Sequence, residues 1–384
     1  MEYCKFLEDY RLFSQGNETP ELMHLWCGLL TLAGAAEKRI WLDQEYFNLY
    51  LNLYILLIAP AGVASKSTSM GMASKLLKGA GFNILEGSVL KEKIIEDMEA
   101  TAKPITHSGE TFNHSSITYI SNELNVLLNS GVDMVKFLVD IYDREESYVY
   151  KTKKSGQYEV PYPFFNMIAA AVPQWFGDYV CSDMGSTGFL ARCIVVYEEQ
   201  KRGSYPKPVY TDKQKAARQR CLEHIEKMGQ LVGKLVMDDE ADKAFCDWYN
   251  SQKPNPSTDY RINSYYERRN KIHILKIAGL MALGDMRMTI TKIDFDRALD
   301  ILSRTEKKMR LAYVIASSNK LAPYIHQVLN LLDEHGGKIK SKELVRLFIQ
   351  EMDNEEIKRL VSTLEDMDAA KRYRDKEGSW IIKT

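Results

Sequence analysis

Residues 51–59 (LNLYILLIA) are almost continuously apolar, and this run restricts the fold more than any other stretch of the sequence. A strand buried on one face alternates apolar and polar side chains. One that does not alternate is covered on both faces, which requires a mainly parallel sheet flanked by helices. The run ends in residues 60–68 (PAGVASKST), and residues 70–77 then read as a helix. Strand, small-residue loop, Lys66-Ser67 and helix is the order a polyphosphate site needs: close backbone N–H groups, a helix N-terminus, a lysine and a hydroxyl for a metal ion. The consensus G-x-x-x-x-G-K-[ST] would put glycines at 60 and 65. Pro60 and Ser65 stand there instead, and Gly62 is the only glycine of the loop. The candidate phosphate contacts are Gly62, Ser65, Lys66, Ser67 and Thr68.

Further buried-strand patterns at 117–120, 164–170 and 192–197 alternate with helical patterns, so the expected fold class is α/β. Residues 1–50 read as a helical N-terminal segment, because Leu22, Trp26, Leu29, Leu30 and Leu32 recur at roughly helical spacing. Residues 51–206 form the expected core and residues 207–318 a helical lid. Residues 319–384 read as three helices followed by a hairpin, the pattern of a winged-helix domain.

A chain of 384 residues has room for two or three domains. Lys+Arg number 51 against Asp+Glu 52, so any contact with nucleic acid must come from local basic patches and not from the overall field. The six cysteines form no C-x-x-C pair and the seven histidines no H-E-x-x-H, so neither a zinc site nor a disulfide framework is expected. The N-terminus mixes acidic with apolar residues, and no apolar stretch approaches the roughly 18 residues that span a bilayer. The expectation is a cytoplasmic protein without a membrane partner.

Residues 117–123 (ITYISNE) read as an apolar strand ending in adjacent polar residues. Glu123 could polarise an attacking water, and Asn122 could accept a hydrogen bond from metal-bound water without adding charge. Residues 147–160 read as a β-hairpin in which Lys151, Lys153 and Lys154 lie near the tip beside Tyr148 and Tyr150. Such a hairpin could grip a single strand through phosphates and stacked bases, or it could be an ordinary solvated hairpin. Arg192, at the start of a strand, could reach the γ-phosphate held by a neighbouring copy or pair with a carboxylate of its own chain. Arg268 and Arg269 precede the apolar helix 272–283, where one of them could sense nucleotide. In the final hairpin, Arg372 and Arg374 remain for phosphates.

The order of these features resembles helicase-like P-loop ATPases of phages, plasmids and integrated mobile elements and, more distantly, the AAA+ core of minichromosome maintenance helicases. In that comparison Lys66 and Ser67 match the Walker A lysine and hydroxyl, Asn122 and Glu123 the Walker B pair, and Arg192 the arginine finger. Arg268 or Arg269 matches the second sensor, and the 148–160 hairpin the DNA-gripping pre-sensor hairpin. The resemblance covers about residues 50–315. It implies ATP and Mg²⁺ as ligands, with Ser67 and Asn122 on the magnesium side. It also implies single-stranded or forked DNA as partner, a homo-oligomeric ring, hexameric by preference, and a bacterial or phage-infected host cytoplasm. A replication partner protein could dock on the winged helix. Both Walker A glycines and the Walker B aspartate are replaced, and residues 169–173 (AAAVP) contain no polar first sensor. Two functions follow: a DNA helicase or translocase driven by ATP hydrolysis, or a nucleotide-binding initiator or loader that hydrolyses slowly or not at all. Ser65 and Asn122 favour the second.

Overall fold

The computed structural model describes residues 2–128, 131–152, 156–181, 188–252, 260–317, 322–349, 352–366, 369–375 and 378–384. They form two compact units, residues 1–316 and 317–384.

The first unit opens with α1 (Lys5–Phe13) and α2 (Glu21–Ala36). Every residue of α2 except Glu21 is buried, so this helix is apolar all round because it lies inside the core. Strands β1 (Ile40–Asp43) and β2 (Asn48–Tyr50) pair antiparallel, and β3 (Tyr54–Ile58) follows with all five residues buried. Each of its isoleucines and leucines withdraws enough apolar surface to contribute about 1.5–3 kcal/mol. Next come α3 (Lys66–Gly79), β4 (Ile84–Glu86), α4 (Lys91–Ala100), β5 (Lys103–His107) and β6 (Glu110–Ser121). The chain continues through α5 (Leu124–Leu128), α6 (Val132–Tyr142), the hairpin β7 (Tyr148–Thr152) and β8 (Gly156–Val160), and the fully buried β9 (Pro163–Ala171). After α7 (Pro173–Cys181) and α8 (Phe189–Arg192), β10 (Cys193–Tyr197) completes the main sheet.

That sheet has the order β10-β3-β9-β6-β4 with all neighbours parallel, and β5 adds antiparallel to β6. The mixed α/β class with a parallel core is therefore as the continuous apolar runs predict. The chain leaves β3 toward β4 at one edge, whereas it leaves β9 toward β10 on the other side of β3. Right-handed crossovers in opposite directions place their helices on opposite faces and open a crevice at the carboxyl ends between β3 and β9.

The rest of the unit comprises α9 (Asp212–Met228), β11 (Gly233–Met237), α10 (Asp239–Ser251), α11 (Tyr260–Arg268), a π-helical turn at Arg269–His273, α12 (Ile274–Gly284), β12 (Thr289–Ile290) and α13 (Lys292–Ser317). Here the purely helical reading of 1–50 and of 207–318 needs correction. Strands from the two segments pair in a second sheet of order β12-β11-β1-β2, with Ile40 opposite Gly233 and Leu42 opposite Leu235. The short run at 233–237 looked like a helix end because its pairing partner lies nearly 200 residues away in sequence.

The second unit contains α14 (Ala322–Glu334), β13 (Lys338–Lys340), α15 (Ser341–Phe348), α16 (Asn354–Asp366), β14 (Ala370–Asp375) and β15 (Gly378–Lys383). Its three strands form an antiparallel sheet of order β13-β15-β14, and Val328, Leu332, Leu344, Leu360, Leu364 and Ile381 build a core of its own.

Candidate functional site

Strand register places the candidate chemistry. Ile58 at the end of β3 is level with Ala171 of β9 and Tyr197 of β10, while Ser121 at the end of β6 is level with Ala169. Extending β6 by two residues brings Glu123 to the level of Ile58. With β9 between them, the two backbones stand about 10 Å apart. The gap suits a phosphoryl group and a water held between the 59–66 loop and Glu123.

The loop turns through two residues with positive φ. Ser65, at the N-cap of α3, has φ 42° and ψ 43°, a left-handed conformation in the position where the consensus has glycine. A non-glycine residue there stores on the order of 1–3 kcal/mol of backbone strain. Gly62 also has positive φ, with open space where a Cβ would point. Thr19 in the turn before α2 donates to the Ser65 carbonyl at 3.1 Å, which ties the loop to the buried N-terminal helices. Lys66 folds back and donates from Nζ to the Ala59 carbonyl at 2.7 Å, and burial holds its pKa below the usual lysine value. Among the described residues no carboxylate pairs with it. No side chain caps α3, and Ser67 and Thr68 are exposed on its first turn. The start of α3 thus offers uncapped N–H groups and two exposed hydroxyls directly after the bent-back lysine.

Asn122 and Glu123 are both exposed, and the Ser121 hydroxyl bridges the backbone of residue 123 and fixes this turn. Ser67 and Asn122 supply neutral oxygens, a set that fits Mg²⁺ only where phosphates provide the remaining charge. Beyond β10, Glu198 reaches the same edge: its N–H donates to the Ile58 carbonyl at 3.0 Å, and its carboxylate pairs with Lys308 of α13.

Beside the loop lies a cleft of about 550 Å³ that the sequence did not disclose. One face of α3 and the start of α9 form its walls through Thr68, Lys75, Lys215 and Arg218, with the stacked rings of Phe13 and Tyr210 also in the lining. A smaller cavity of about 140 Å³ shares Thr68 and Tyr210 with it. Lys215 pairs with Asp212, while Lys75 and Arg218 have no carboxylate partner among the described residues. No local pattern marks these residues, because they come from three separate segments.

The arginines are arranged differently. Arg192 pairs with Asp143 of its own chain, with Nη2 and Nε at 2.8 and 3.1 Å from one carboxylate oxygen. Arg268 binds the other oxygen of Asp143 and lies over the Tyr142 ring. Arg269 is buried, paired with Glu306 at 3.4 Å and stacked between Trp248 and Tyr266. Beneath them Lys276, wholly buried, donates to the Asn52 backbone and side chain, and burial drives its pKa far down. His273 contacts the Ala191 carbonyl at 3.1 Å, with its pKa lowered to about 3 by burial.

The 148–160 hairpin forms as expected, with Tyr150 opposite Tyr158. Its tyrosines are not free platforms for bases. Tyr148 packs edge-on against Phe137, and Tyr150 binds Glu92 at 3.0 Å with Lys91 over its ring. Lys151 is exposed, whereas Lys153 and Lys154 lie outside the described residues. Arg372 is held by Glu365 at 3.7 Å and Arg374 is exposed, both in the second unit.

The sequence matches no protein-family model and no curated protein. Among the described residues no helix is long and apolar enough to cross a membrane, and no group of three or more His, Cys, Asp and Glu side chains converges as a metal site.

Proposed function

We propose that this chain is an AAA+-type P-loop ATPase that uses ATP and Mg²⁺ to move along or remodel DNA in the replication of a phage or other mobile element, acting as a ring of copies. The observation that carries the reading is the common carboxyl edge, where an uncapped helix start and Lys66 face Glu123 across one intervening strand. Lys66 exchanges the Ala59 carbonyl for the outer phosphates, and the first-turn N–H groups of α3 take the others. Glu123 orients the attacking water. Sugar and base extend past Thr68 into the cleft, where Tyr210 offers a ring face and Arg218 a charge. Ser67 and Asn122 would hold the shell of a magnesium ion, which would neutralise charge on the phosphates. Three helices with a final hairpin support reading residues 319–384 as the winged-helix domain.

A second reading, a nucleotide-binding scaffold with little turnover, is favoured by the Asp143 contacts, which occupy both Arg192 and Arg268 within one chain. Arg192 acts as a finger in trans only after it leaves Asp143. Magnesium-dependent phosphate release, measured with and without single-stranded DNA, separates the two. DNA-stimulated turnover that Lys66→Ala and Glu123→Gln both abolish supports the motor. Nucleotide binding that needs Lys66 but shows no turnover supports the scaffold. A protein that binds no nucleotide refutes both.

A further inference from the structure

Residues 321–384 carry 11 Lys+Arg against 12 Asp+Glu, a balance that conceals a sharp separation. Acidic residues run along α16 and its flanks, where Glu355, Glu356, Glu365 and Asp366 outnumber Lys358 and Arg359. The cations gather elsewhere. A cavity of about 800 Å³ is lined by Lys340, Lys342, Arg346 and Arg374, together with Ser341, Val345, Gly378 and Ser379. It thus joins one face of α15 to the β14–β15 hairpin. No carboxylate lines it, and none of the ion pairs among the described residues involves those four cations.

Two features mark this cavity as a site for an anion from outside the unit. The N-cap of α15 is Lys340, which makes no side-chain cap to the first-turn N–H groups. Lys340 and Lys342 also place positive charge at the positive end of the helix dipole, an unfavourable arrangement that a bound anion reverses. Glu343 lies in the same turn but does not line the cavity. Small residues at 341, 378 and 379 allow close approach to backbone and hydroxyl groups, the usual partners of phosphate oxygens. Val345 is the only large apolar side chain in the lining, which leaves no anchor for an acidic peptide. Of the two arginines expected in the final hairpin, Arg374 joins this cluster, while Arg372 is drawn to Glu365 of α16.

We propose that the pocket between α15 and the β14–β15 hairpin grips the sugar–phosphate backbone of a nucleic acid without reading sequence, and that α16 stays out of the contact. The proposal extends the nucleic-acid part of the reading above and does not depend on ATP hydrolysis. It is tested without nucleotide, by anisotropy of a labelled mixed-sequence oligonucleotide, single-stranded and duplex, over a salt series. The full chain is compared with Lys342→Ala/Arg346→Ala/Arg374→Ala, each in an otherwise native background and in Lys151→Ala/Lys153→Ala/Lys154→Ala. The pocket variant is expected to bind about tenfold more weakly at 0.1 M salt in both backgrounds, with the slope of log K against log salt shallower by about 2 to 3. Its thermal midpoint is expected to stay the same or rise, since all three residues are exposed. Unchanged affinity and slope would overturn the proposal, as would an equal loss from Arg359→Ala on α16. Competition by poly-glutamate or inorganic triphosphate as effective, charge for charge, as unlabelled DNA would reduce the pocket to a general anion site and equally defeat it.

Discussion

Two groups of cations in the first unit are treated in opposite ways. At the carboxyl edge Lys66 holds only the Ala59 carbonyl, and in the cleft Lys75 and Arg218 line open volume, none of the three with a carboxylate partner among the described residues. At the junction after α6, Arg192 and Arg268 share Asp143, Arg269 is clamped by Glu306, and Lys276 is buried against Asn52. Unpaired charge beside open space is poised for an anion from outside. Paired charge maintains the fold until something displaces its partner. Residues 142–145 make that junction a hub: Asn52 binds the Tyr142 carbonyl at 2.9 Å, Lys38 binds the Arg144 carbonyl at 2.6 Å, and Asn48 binds Glu145 at 3.2 Å. The hairpin β7–β8 begins three residues later, so any movement of the hub reaches it directly.

The strongest test of this contrast is acidification. His273 at the junction, like His24 and His114 in the core, is held neutral in the fold with a pKa lowered to about 3, chiefly by burial. The unfolded chain protonates these rings as pH falls through about 6.5 while the folded chain does not, so stability is full above that pH and is lost below it. Each histidine contributes a slope of about 1.4 kcal/mol per pH unit, and His273→Gln should remove one proton from the uptake measured by urea unfolding between pH 6 and 5. An unchanged uptake would mean that the junction admits water. Asp143→Ala should have the next largest effect. It leaves two half-buried guanidinium groups unpaired and should lower unfolding stability by about 1–2 kcal/mol, with a discount for the exposure of Asp143. If stability instead holds steady, the arginines are free to act elsewhere. The smallest expected effect lies at the cleft. Lys75→Ala/Arg218→Ala should leave the thermal midpoint within a degree or two, yet weaken binding of a fluorescent nucleotide about fivefold. A fall in stability without a change in binding would place these residues with the structural cations.

The parallel core was legible because burial on both faces forbids alternation, and 51–59, 164–170 and 192–197 all show it. The helical character of most of 207–318 was legible too, and α9 to α13 occupy that range. Pairing was not. The second sheet joins 40–43 to 233–237, and a two-to-five-residue strand has no signature until its partner is known. The segment around Lys66 showed its order, loop before lysine before helix, along the chain. The cleft beside it did not, because Phe13, Thr68, Tyr210 and Arg218 meet only after three segments fold together. What the rings of the 148–160 hairpin touch, left open in the sequence, was hidden for a related reason. Alternation shows that Tyr148 and Tyr150 share a face, but not that α4 and α6 cover it.

Local chemistry written along the chain was thus sufficient for the α/β class, the strand–loop–helix order around residues 60–68, the hairpins and the three-helix end. Distances across the molecule set the rest: which strand lies between Lys66 and Glu123, that Asp143 claims Arg192 and Arg268, and that Arg374 stands with Lys342 while Arg372 does not. The division follows from the range of the forces involved. Backbone preference and burial period act over a few residues and leave a mark in sequence. Ion pairs and cavities join residues distant in sequence and exist only once the chain has closed.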